Sequence, residues 1–125
     1  MLRLIIFSFT LFITTISFGQ QQAINAIKKS DARALQANLT EDVDISFNDQ
    51  GDLVAKAVAS KQLENFFLAN KVASYTVSHT GKSPDNKSFF SIAKMKAGTK
   101  TYRVYLKYSV VNGVDMVKEL RFNEE

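Results

Sequence analysis

The chain of 125 residues has no cysteine, no tryptophan, a single proline and a single histidine. Each shortage removes a class of chemistry. Without Cys there is no thiol nucleophile, no thiolate metal site, no redox dithiol and no disulfide. Bacterial lipoproteins carry their lipid on a cysteine thiol at the new N-terminus, so that anchor is excluded too. Without Trp, a carbohydrate platform of indole rings is unsupported. A lone His cannot form the paired imidazoles of most transition-metal sites. There is also no phosphate-cradling Gly-rich loop and no Gly-x-Ser-x-Gly elbow, so nucleotide binding and serine hydrolysis are both unsupported.

What is present starts with a leader. Met1-Leu2-Arg3 is a short basic start, followed by an apolar run from Leu4 to Phe18 broken only by Ser and Thr. A spanning helix needs about 20 predominantly apolar residues, whereas a shorter run with small residues near its end suits a secretory signal. Ser17 and Gly19 stand at −3 and −1 of a cleavage predicted before Gln20. The alternative is an uncleaved N-terminal anchor. Processing places the mature protein in the periplasm or outside the cell, with no stable membrane span. It leaves residues 20–125 as a single domain with 15 Lys and Arg against 12 Asp and Glu. That excess is too slight to imply nucleic acid. Small exported domains often rely on disulfides. This one must hold itself by its core, which is feasible because a domain of this size buries roughly 60–70% of its unfolded surface.

Apolar periodicity divides the domain into elements. Ala23, Ile24 and Ile27 predict a first helix over 21–29, broken at Ser30-Asp31, and Ala32, Leu35 and Leu39 a second. Val43, Ile45 and Phe47 alternate with polar residues, as in a half-buried strand. Asn48-Asp49-Gln50-Gly51-Asp52 reads as a turn, with positive φ at Gly51. A short strand over 53–58 and a helix over 61–70, with Ser60 as N-cap and Leu63/Phe66/Phe67 as its apolar stripe, come next. The rest reads as strands joined by turns at Ser83-Pro84-Asp85-Asn86, Gly98-Thr99 and Asn112-Gly113. The clearest strand buries Tyr102, Val104, Leu106, Tyr108 and Val110. The order α-α-β-(β)-α-β-β-β-β predicts an α+β fold, a curved antiparallel sheet packed on about three helices.

The segments AIKKSDARAL (26–35), SKQLENFFLAN (60–70), TYRVYLKY (101–108) and ELRFNEE (119–125) resemble a family of small exported bacterial proteins known as a domain of unknown function. The wider resemblance is to the nuclear transport factor 2-like, or cystatin-like, fold. It implies a curved sheet wrapped round three helices, often with a cone-shaped pocket. It supplies no activity.

Within such a fold, Phe66, Phe67, Tyr75, His79, Tyr102 and Tyr108 are the candidate pocket residues. A non-enzymatic domain that binds a small apolar ligand or a protein partner is the leading expectation, with no cofactor and no metal. His79 falls in phase with Tyr75 and Val77, so an isomerase- or lyase-like enzyme using His79 with a Tyr is the alternative; such pairs occur in the wider fold. General-base chemistry needs a partner that tunes the imidazole and a substrate within reach, and no carboxylate lies on the inward strip. The bland role for His79 is a strand-end residue.

Arg103, Tyr105 and Lys107 form a basic strip on the opposite face, with Lys94, Lys96, Lys100, Lys118 and Arg121 nearby. Basic grooves with aromatics bind single strands. In an exported protein, an anionic envelope component or a homodimer through the sheet is the more natural partner, and a solvated sheet face is the simplest account. Asp42, Asp44, Asp49 and Asp52 are too few and poorly spaced for a calcium loop. The sequons at Asn38-Leu39-Thr40 and Asn86-Lys87-Ser88 are accounted for by helix-end and turn roles.

Overall fold

The computed structural model describes residues 17–125, so most of the expected leader lies outside the described residues. The elements run α1 (Phe18–Lys28), α2 (Ala32–Gln36), β1 (Leu39–Phe47), β2 (Gln50–Ala55), α3 (Lys56–Ala69), β3 (Val72–Lys82), β4 (Ser88–Ala97), β5 (Lys100–Val111) and β6 (Val114–Glu124). This is the order the periodicity predicts. The six strands form one sheet, ordered β2-β1-β6-β5-β4-β3. α3 carries the chain from β2 to the far edge, and the meander β3 to β6 walks back until β6 meets β1. Those two strands therefore run parallel, while every other neighbouring pair is antiparallel. The sheet is mixed rather than purely antiparallel.

Local chemistry sets the ends of these elements. Ser17 caps α1, its hydroxyl accepting from the Gln20 amide at 3.2 Å. The expected cleavage point thus falls within the first turn of α1. Ser30 takes φ 54° and its hydroxyl accepts from the Val72 amide at 2.9 Å, while Asp31 caps α2 by accepting from the Ala34 amide at 3.0 Å. α3 starts at Lys56 rather than Lys61. The Lys-Ala-Val-Ala run ahead of Ser60 is largely of good helix formers, so Ser60 lies inside the helix and donates to the Ala32 carbonyl at 3.4 Å. The first hairpin turns on Asn48 (φ 52°) and Asp49 (φ 63°), not on Gly51. Gly51 lies in β2 opposite Ser46, where a Cβ would come within 2.0 Å of the Ile45 carbonyl oxygen. Asn112 (φ 51°) and Gly113 (φ 78°) make the expected two-residue turn between β5 and β6, the geometry that matches strand twist.

The helices cover one face of the sheet. α1 packs against β3 and β6, and α3 against β1 and β2. Between helices and sheet lie Ile24, Ile27, Leu35, Val43, Ile45, Leu63, Phe67, Met95, Val104, Leu106, Leu120 and Phe122, all buried. Each such large side chain contributes about 1.5–3 kcal/mol on full burial, the source of stability left to a chain without disulfides. Tyr102, Val104, Leu106 and Tyr108 are buried as expected, but Val110, near the hairpin tip, is 48% exposed.

Candidate functional site

The single histidine is not inside. β3 pairs Tyr75 with Met95 and Val77 with Ala93, then His79 with Ile92, with a register shift between Val77 and His79. One extra residue on β3 reverses the alternation, because side chains switch faces at every residue. His79 therefore leaves the phase of Tyr75 and Val77 and lies exposed on the outer face, in the cross-strand row of Ile92 and Tyr105. Ser78, at the bulge, donates to the Ile92 carbonyl at 3.0 Å.

The other pocket candidates separate into two groups. Under α3, the Phe66 ring packs on Phe47, Phe122 and Tyr102 with centroids 4.9, 5.0 and 5.3 Å away, and on Phe67 at 5.8 Å. The Tyr102 hydroxyl donates to Asn70 Oδ1 at 3.0 Å. Aromatic side chains fill this end of the interior, and its one phenol is satisfied.

Toward α1 the interior is different. Tyr75 on β3, Ser91 on β4 and Tyr108 on β5 all face inward and are 6%, 2% and 0% exposed. Their hydroxyls have no hydrogen-bond partner. Buried polar groups are otherwise almost always paired, and each orphan costs about 1–3 kcal/mol. Tyr108 lies close enough to influence both Tyr75 and Ser91. Burial pushes the Tyr75 phenol far above its ordinary range and the neighbouring Tyr108 adds to the effect. Burial likewise pushes Tyr108 up to about 12, with Ser91 opposing and Asp115 adding. Ser91 Oγ thus sits beside Tyr108 without completing a hydrogen bond. Both phenols stay protonated at physiological pH and so keep a proton to donate. Asp115 is itself occupied, accepting from Ser17 Oγ at 2.6 Å and Gln20 Nε2 at 2.9 Å. Ser91 was not among the expected residues, although its inward phase with Ala93 and Met95 could have placed it.

The outer face holds Arg103, Tyr105 and Lys107, as expected. Tyr105 stands between Phe90, whose ring stacks at 6.1 Å, and Arg121, whose guanidinium lies 5.7 Å from the ring centroid. Arg121 pairs with Glu119 at 2.5 Å. Burial, then Glu119, raises the Tyr105 phenol, with Arg121 opposing. Asn38 is buried and donates to the Ala34 carbonyl at 3.1 Å, and Asn86 occupies the turn after Ser83. Among the described residues no group of His, Asp and Glu is placed to hold a metal ion, and no helix is long and apolar enough to cross a membrane.

A curved mixed sheet enclosing a helix-covered interior defines the nuclear transport factor 2-like class. A nuclear transport factor 2-like protein from Cytophaga hutchinsonii is 12% identical, with TM-score 0.64 over 86% of this chain and 93% of that one. Residues 20–123 match the domain of unknown function DUF4783, and the chain belongs to that family. A DUF4783 protein from Bacteroides fragilis is 24% identical, with TM-score 0.79 over 89% of this chain and 100% of that one. A computationally designed 17-OHP binder is 16% identical, with TM-score 0.63 over 83% of this chain and 88% of that one. Comparison with curated proteins returns no match.

Proposed function

We propose that the domain is a non-enzymatic carrier of a small, largely apolar molecule bearing one hydrogen-bonding group. The observation that carries this is a set of three buried hydroxyls without partners, those of Tyr75, Ser91 and Tyr108, with Tyr108 close enough to influence the other two. A carbonyl or hydroxyl beside them would accept and donate where the protein itself does not, within a buried apolar cluster that includes Ile24 and Ile27. Ligand sites are commonly apolar cavities with a few convergent polar groups. The designed 17-OHP binder supports the idea that this fold has room for such a molecule. Nothing in this cluster resembles a catalytic set: no imidazole reaches it, and the nearby carboxylate, Asp115, accepts from Gln20, the first residue of the processed chain. The export signal read from residues 1–19 fits a carrier outside the cytoplasm.

A crystal structure of protein purified from its own host without refolding tests this. Continuous density from an organic molecule within hydrogen-bond reach of Tyr75, Ser91 and Tyr108 is expected. Isolated water peaks satisfying all three hydroxyls would contradict it.

A further inference from the structure

We infer that the outer face of the sheet, along the row Thr76, Lys94, Arg103 and Asn123, binds an acidic polysaccharide. The four side chains come from β3, β4, β5 and β6 and stand directly opposite one another in register. Lys94 and Arg103 are thus a like-charged cross-strand pair, an arrangement that weakens a sheet. Lys96, exposed, follows on the same face of β4. None of Lys94, Lys96 and Arg103 has a carboxylate partner within salt-bridge distance among the described residues. A bound anion would relieve this repulsion.

The rest of the face narrows the choice of anion. Neighbouring strands lie 4.7–4.9 Å apart, so the row spans about 14 Å, the reach of a short stretch of extended polymer. Every member offers a donor: a hydroxyl, an ammonium, a guanidinium and an amide. The adjoining row places Ile92 and Tyr105 beside them. Single-stranded nucleic acid would need free aromatic faces for its bases, yet Tyr105 is already flanked by Phe90 and Arg121. A protein partner would look for exposed apolar anchors. The exposed large apolar residues, Phe18, Leu53, Val58, Leu68 and the valines of the β5–β6 tip, lie off these two rows. A carboxylated sugar chain needs neither. It needs spaced cations and hydrogen-bond donors on an open, gently curved surface.

Isothermal titration with polygalacturonate at low ionic strength, backed by affinity electrophoresis, tests the proposal. The expected result is binding that weakens with salt and falls by at least about tenfold in the double variant Lys94→Gln/Arg103→Gln. A charge-matched control, Lys29→Gln/Arg33→Gln on the helical side, keeps wild-type affinity, and circular dichroism shows all three proteins folded. No binding by the wild type, equal loss in the control, or an undiminished affinity of the double variant would overturn it. So would equally tight binding of a single-stranded oligonucleotide that competes with the polymer, the mark of unselective polyanion binding.

Discussion

Tyr108 adds to the effect of burial in raising the Tyr75 phenol, and neither buried hydroxyl meets a hydrogen-bond partner. A protein held only by its core gains nothing from such a pair in the empty state. Removing an orphaned hydroxyl without changing ring volume lifts a desolvation cost. Tyr108→Phe should therefore leave the ligand-free protein at least as stable as the wild type, by up to about 1–3 kcal/mol. Chemical denaturation of solvent-stripped protein checks the sign. A clear loss of stability would mean that the hydroxyl serves the fold.

The same burial makes a prediction about alkali. Tyr108 is pushed from 10.0 up to about 12, and Tyr75 further in the same direction. A raised folded pKa means the native state holds its proton more tightly than the unfolded chain. The associated stability is present below pH 10 and is lost as pH rises through the folded pKa. For Tyr108 alone that amounts to about 3 kcal/mol. Tyrosinate absorbance should show these two phenols ionising together with loss of ellipticity, not before it.

His79 is the residue for which sequence and structure differ most. Exposed on the outer face, it serves neither the interior nor the core. His79→Gln should change stability by less than about 0.5 kcal/mol and leave any interior ligand in place. Release of the ligand in that variant, followed by mass spectrometry, would show that the bulge does not separate the two faces.

Why the sequence misplaced His79 is instructive. Period-two alternation over Tyr102 to Tyr108 and the Asn112-Gly113 turn were both legible, because each depends on neighbours in the chain. The bulge after Val77 depends on the partner strand, where Ala93 and Ile92 face residues two apart on β3. Nothing local announces it. The parallel pairing of β1 with β6 is hidden for the same reason. The inward-facing aromatic residues were legible by type but not by their partners: Tyr102 bonds to Asn70, whereas the hydroxyls of Tyr75 and Tyr108 are left unpaired. Ser91 was visible in phase but not conspicuous, since a lone inward serine on a strand usually finds a partner.

Two glycines test the packing of the hairpins. At Gly51 a Cβ would strike backbone, 2.0 Å from the Ile45 carbonyl oxygen and 2.5 Å from Ser46 Cα. Gly51→Ala should cost about 1–3 kcal/mol. At Gly81 the obstacle is the far end of the Phe90 ring, 2.3 Å away, which can swing aside. Gly81→Ala should cost clearly less, and thermal melting of the two variants side by side gives the comparison.

The central claim is that the Tyr75, Ser91 and Tyr108 hydroxyls hold a small molecule. Native mass spectrometry of the protein from its own host, compared with a Tyr75→Phe/Tyr108→Phe variant prepared identically, tests it most directly. The predicted result is a discrete non-covalent mass excess on the wild type that is absent from a folded variant. A wild type at its bare polypeptide mass, or the same excess on both proteins, would contradict it.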